Sequence, residues 1–119
     1  MSKGAAWRRG RRAERLCLWH LRLRGYRILA QRYRVAVGEI DLIATRNRVV
    51  KAVAVTERDR WSAAGEAVLG RQRRRIARAL AHFMAGRADL AGLDLRFDVM
   101  LVVPRRLPRH ITDAWRPDS

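Results

Sequence analysis

The order of apolar and polar positions divides the chain into a short series of elements. From Ala13, apolar or weakly polar side chains recur at Ala13, Leu16, Cys17, His20 and Leu21, while Arg11, Arg15 and Arg22 fall elsewhere on the wheel. That i, i+3, i+4, i+7, i+8 series is one face of an amphipathic helix. Gly25 stands where a C-terminal glycine would end it, and Tyr26 to Tyr33 then reads as a strand. A turn near Val37-Gly38 leads to Glu39 to Ala44, whose alternation predicts one face of Ile40, Leu42 and Ala44 and another of Glu39, Asp41 and Ile43. Thr45 to Arg48 is a polar hairpin loop. Val49 to Thr56 is nearly continuous in apolar residues, as a central strand covered on both faces should be. A charged loop from Glu57 leads to a second helix over roughly Glu66 to Met84, with Val68, Gln72, Ile76, Ala79, Leu80 and Phe83 on its buried face. After Gly86 and Gly92, Leu95 to Val103 reads as a strand stopped by Pro104, and a short element from Arg109 to Trp115 precedes a polar end.

A chain of 119 residues suits one core. The expected organisation is a basic tail over 1–9, one domain over 10–115 and a second tail over 116–119. No run approaches the ~18 apolar residues of a membrane span, which argues against a membrane-spanning protein. Cys17 has no partner for an intramolecular disulfide, so it reads as a small core residue in a reducing, cytoplasmic setting.

Charge changes the picture most. There are 27 Lys+Arg against 11 Asp+Glu, a formal net charge of +16. Genome composition explains arginine over lysine, of which only Lys3 and Lys51 occur, but not base over acid. Such an excess repels itself unless an anionic partner is near, and DNA or structured RNA is the partner expected first. In the second helix Arg71, Arg73, Arg74, Arg75 and Arg78 crowd the polar side, beside Gln72, with no acid between Ala67 and Ala88. A salt-bridged helix would need acids at i,i+4, so these guanidiniums suit phosphate contacts. Trp7, Trp61 and Trp115 are stacking candidates whose plainer reading is partial core burial.

The element order α-β-β-β-α-β, together with Gly10-Arg-Arg-Ala-Glu14, Gly25-Tyr-Arg-Ile-Leu-Ala30 and Gly38-Glu-Ile-Asp-Leu-Ile-Ala44, resembles the YraN family of small bacterial proteins. Glu66-Ala-Val68, the Arg/Gln cluster at 71–75 and Arg96-Phe-Asp-Val99 extend the resemblance over roughly residues 10–115. It implies an α/β fold of the PD-(D/E)XK, Holliday-junction-resolvase-like endonuclease class, with a mixed central sheet flanked by helices. In that superfamily carboxylates hold Mg²⁺ against a phosphate and a lysine helps activate water. The resemblance places Asp41 at the first acid and Glu14 at an accessory one, the two metal-ligand candidates. Where the family carries Val-Glu-Val-Lys-Thr, this chain has Ala52-Val53-Ala54-Val55-Thr56. Neither Val53 nor Val55 can ligate a metal or move a proton, so Asp41 becomes a vestige. Gln72 and Arg73 also depart from the family's helix motif.

The expectation is therefore a nucleic-acid-binding protein with an impaired nuclease centre and no bound cofactor, Mg²⁺ being implied only by residual activity. Two alternatives stay open: an active Mg²⁺-dependent endonuclease with relocated ligands, and a basic assembly module for an acidic protein or membrane surface. Lys51 and Glu57 share strand parity with Val53 and Val55 and are the residues a relocated centre would use. Glu39 and Glu14 read more simply as solvated or salt-bridged acids. His20, His82 and His110 are too scattered to suggest a cluster, and His20 reads as a core or boundary residue.

Overall fold

The computed structural model describes residues 3–57 and 70–117, with side chains from residue 11 onward. Helix α1 runs Lys3–Leu23. It therefore includes most of the segment expected to be a tail, because Ala5 and Ala6 and the neighbouring arginines are good helix formers and only Gly4 and Gly10 oppose them. Its end is built as the sequence implies. Gly25 takes φ +85°, its amide donates to the Arg22 carbonyl at 3.1 Å, and the Tyr26 amide donates to Leu21 at 3.0 Å. These are the two bonds of a Schellman cap, and Leu21 and Tyr26 pack in one cluster as that cap favours.

Strands β1 (Arg27–Val35), β2 (Gly38–Arg46), β3 (Val49–Glu57), β4 (Asp94–Val102) and β5 (Arg109–Ile111) form one sheet in the order β1-β2-β3-β4-β5. β3 and β4 are parallel, and the other neighbours are antiparallel. The β2-β3 connection is a two-residue hairpin turn, Asn47-Arg48, with φ +56° and +63°, the backbone of a type I′ turn. A parallel pair cannot be joined so tightly, and helix α2 (Gly70–Ala85) lies in the crossover. Residues 58–69 lie outside the described part, and with them the expected start of this helix at Glu66, Val68, and Trp61. The sheet and two helices give the α/β architecture expected of an endonuclease-like core.

The sheet buries both faces. Toward α2, Ile40, Ile43, Val50, Ala52, Ala54, Phe97, Val99 and Leu101 meet Ile76, Ala79, Leu80 and Phe83. Toward α1, Leu42, Ala44, Val53, Met100 and Val102 meet Ala13, Cys17, Leu18 and Leu21. Here the structure corrects the alternation read for β2: Ile40 and Ile43 share the α2 face although they are three apart, while Leu42 and Ala44 face α1. The phase slips at Asp41. Opposite it on β1, Arg32 adopts φ +51°, a left-handed conformation costing roughly 1–2 kcal/mol for a non-glycine residue. The register of β1 against β2 runs unbroken past Arg32 and shifts instead between Ile28 and Ala30. Gly38 fixes the height of α2 over this region, since a Cβ there would stand 2.0 Å from the Arg75 carbonyl oxygen.

Candidate functional site

Asp41 sits where β2 leaves β3. The paired register begins only at Leu42↔Val53, and instead of a ladder bond the Val55 amide donates to Asp41 Oδ2 at 2.7 Å. Burial raises the Asp41 pKa to about 6; the Val55 amide opposes that shift, and the charges of Glu14 and Glu39 add to it. The positive φ of Arg32 accompanies a 2.7 Å ion pair from its Nε to Glu14 Oε2, on α1. Helix and hairpin are thus tied across the candidate centre. Cys17 lies close enough to feel both carboxylates, and burial foremost, then Asp41 and Glu14, push its thiol up to about 12. It is an inert core thiol.

Val53 and Val55 share one face of β3, as their parity requires. Val53 is fully buried in the α1-side cluster and Val55 is half-buried against it. Mg²⁺ takes a near-octahedral shell of oxygens, and the residues present do not fit it. Glu14 is committed to Arg32, Asp41 already accepts a backbone amide, and Val53 and Val55 offer no ligand atom. Among the described residues no group of three or more His, Cys, Asp or Glu converges to hold a metal. Lys51 and Glu57 are not brought together either. They lie near opposite ends of β3, six residues apart, roughly 20 Å at ~3.3 Å per residue.

Above Asp41, a recess of about 200 Å³ is lined by Glu39, Asp41, Ala54, Arg71, Gln72, Arg75 and Ile76. Gln72, expected on the buried face of α2, is exposed and borders this recess because the helix core is carried by Ile76, Ala79, Leu80 and Phe83. Arg71, Arg74, Arg75 and Arg78 are exposed, and none of them pairs with a carboxylate among the described residues. Arg73 departs from the group: it is half-buried with its guanidinium 5.9 Å from the Trp115 ring. Trp115 stacks on Phe97 at 4.3 Å and is buried, so it is a core residue and offers no face for a base. The side chain of Trp7, like Trp61, lies outside the described part.

A second charged assembly escaped the sequence reading. Asp98 is fully buried on β4. Its oxygens accept from Arg96 Nε and Nη2 at 2.8 Å each, lie 2.7 Å from His110 Nε2, and accept from the Asp113 amide at 3.0 Å. Burial alone would raise the Asp98 pKa; the bonds from His110, Arg96 and Asp113 outweigh it and hold the carboxyl at about 2. Lys51, also buried, lies 4.0 Å from the Tyr26 ring centroid and donates to the Arg46 carbonyl at 3.2 Å. Burial first, then the Arg96 and Arg46 charges, lower its pKa to about 8. The signal was present: a lysine inside an apolar central strand, with Arg96 and Asp98 at the same parity two residues apart, demands a buried polar network.

The histidines divide. His82 hydrogen-bonds with the Tyr33 hydroxyl at 2.6 Å, whereas His20 and His110, apparently scattered along the chain, line one pocket. No helix among the described residues is long and apolar enough to cross a membrane.

Known proteins similar to this chain include UPF0102 proteins from three bacteria. One from Parvibaculum lavamentivorans is 53% identical over 95% of this chain and 85% of its own length. One from Sphingopyxis alaskensis is 49% identical over 98% of this chain and 100% of its own length. One from Paramagnetospirillum magneticum is 48% identical over 96% and 92%. With residues 13–102 matching the model of that family as well, the chain belongs to the uncharacterised protein family UPF0102.

Proposed function

We propose that this protein binds duplex or branched nucleic acid through its phosphates, with α2 as the principal contact, and that the hydrolytic centre its fold would carry is impaired. The observation that carries the reading is the surface of α2. Arg71, Arg74, Arg75 and Arg78 are exposed and unneutralised among the described residues, on a helix with no acid, in a chain of net charge +16. Guanidiniums left without carboxylates are matched by phosphate oxygens. Arg71 and Arg75 also border the recess that contains Asp41, so a backbone lying along α2 would pass the position of the old centre. Replacement of both reactive positions by Val53 and Val55 supports binding without cleavage.

Binding of duplex, four-way-junction and single-stranded DNA, and of structured RNA, measured over a salt series is the test. With about six phosphates engaged, log K falls against log salt with a slope of about −5. Arg74→Glu with Arg78→Glu weakens binding on all sequences alike. Absence of binding at low salt, a salt-independent affinity, or stronger binding to anionic vesicles than to nucleic acid would each remove this reading.

A further inference from the structure

The α1 side of the sheet carries a second basic feature, away from α2. A pocket of about 330 Å³ is lined by His20, Arg24, Tyr26, Arg46, Pro108 and His110, a size at the lower end of small-ligand sites. It gathers residues from the last turn of α1 and its cap, the end of β2 and the edge strand β5, and no carboxylate lines it.

We propose that this pocket binds a phosphate group. Arg46 is held in place from two directions, its Nη1 donating to the Arg24 carbonyl at 2.6 Å and its guanidinium lying 4.6 Å from the Tyr26 ring centroid. Arg24 Nε donates to His20 Nε2 at 2.6 Å. Each arginine thereby spends one donor on its own positioning and keeps most of its N–H groups, and neither meets a carboxylate among the described residues. Because His20 accepts at Nε2, its ring is neutral and presents Nδ1–H as a further donor; burial, then Arg24, lowers its pKa accordingly. His110 is oriented by the ionised Asp98 through Nε2, which leaves Nδ1 for a ligand. A phosphate group, with several acceptor oxygens, matches the donors that Arg24, Arg46 and His20 present here.

The C-terminus of α1 opposes an anion with roughly half a negative charge. Two guanidiniums exceed that, and the nearby carbonyls are already occupied: Leu21 and Arg22 by the Schellman cap, Arg24 by Arg46.

The experiment is a titration of the labelled full chain with inorganic phosphate at constant ionic strength, read by calorimetry and by the histidine ring resonances. Saturable one-site binding that shifts His20 and His110 but not His82 is expected. Arg24→Gln and Arg46→Gln should each weaken it about tenfold, the loss of one charge-assisted contact, while Arg12→Gln leaves it unchanged. Should Arg46→Gln unfold, Arg24→Gln, at an exposed side chain, carries the test. Non-saturating shifts, equal binding of acetate, or an unchanged affinity in the folded Arg24→Gln protein would overturn the proposal. Two further arms identify the source: a 5′-phosphorylated oligonucleotide preferred over its 5′-hydroxyl counterpart supports a strand end, and binding of a nucleoside monophosphate alone supports a free nucleotide. The phosphate titration contains no polynucleotide, so its failure leaves the reading of α2 intact, and the reverse also holds.

Discussion

Replacing Asp41 by asparagine removes a buried charge while keeping an oxygen that can accept from the Val55 amide. Burial holds the Asp41 pKa at about 6 against the ordinary carboxyl value of 3.8, so the folded protein binds a proton more readily than the unfolded chain between those values. The linkage has a definite sign. Below the unfolded pKa the carboxyl is neutral in both states and costs nothing; as pH rises through the folded pKa, ionisation in the folded state becomes a penalty. At 1.36 kcal/mol per pKa unit the penalty reaches about 3 kcal/mol above pH 7, an upper figure because Asp41 retains some contact with solvent. Asp41→Asn should therefore raise the melting temperature at pH 7.5 by up to about 10 °C for a domain of this size. The gain should shrink toward zero at pH 4. Melts of both proteins across that range are the assay. A pH-independent difference, or destabilisation by asparagine at pH 7.5, would refute the assignment of Asp41 as a carboxylate held in the core at a cost.

Four further outcomes are expected. Gly38→Ala forces a Cβ against the Arg75 carbonyl and should cost about 1–3 kcal/mol, the usual range for overpacking, visible as a lower denaturant midpoint; full stability would show that α2 does not sit at this height. Asp98→Ala leaves Arg96 without its buried partner and should cost about 3–5 kcal/mol. In the unmodified protein Asp98, with its pKa lowered to about 2, contributes about 2 kcal/mol that is present above the unfolded pKa near 4 and lost as pH falls through 2, so acid titration of stability in a His110→Ala background should show this component diminished. Val53→Glu or Val55→Lys alone should destabilise the fold, whereas the double variant should gain stability from Mg²⁺ and cleave branched or linear DNA better than either single. Inactivity of a folded, Mg²⁺-binding double variant would place the damage beyond these two positions.

Most of the fold was legible because its elements obey simple periods. The i, i+3, i+4 series ended by Gly25, the nearly continuous apolar run of β3 and the alternation of β4 are each decided by local residue choice. What was not legible depends on partners distant in sequence. The phase slip at Asp41 goes with a left-handed Arg32, and no property of β2 alone announces an arginine on β1 paired with Glu14 on α1. The candidate centre was half legible: Val53 and Val55 lie on the face their parity predicts, but the Val55 amide serving Asp41 follows from where the two strands part. His20 and His110 are 90 residues apart, and only the sheet order, with β5 at the edge near the end of α1, brings them to one pocket.

The margins of the sheet bear on how this chain behaves when its charge is neutralised. β1 is an edge strand, and an edge of unpaired amides and carbonyls is a template for another molecule's strand. At +16, repulsion between copies discourages that pairing in solution. A polyanion would cancel the repulsion while crowding copies along its length, the condition most favourable to edge-to-edge growth. The irregularity between Ile28 and Ala30 and the left-handed Arg32 remain when charge is gone, and they deny an incoming strand a continuous ladder. β5 offers only three residues at the opposite margin. Steric protection of the edges is thus independent of the electrostatic kind, and it is the one that would survive on a polyanion.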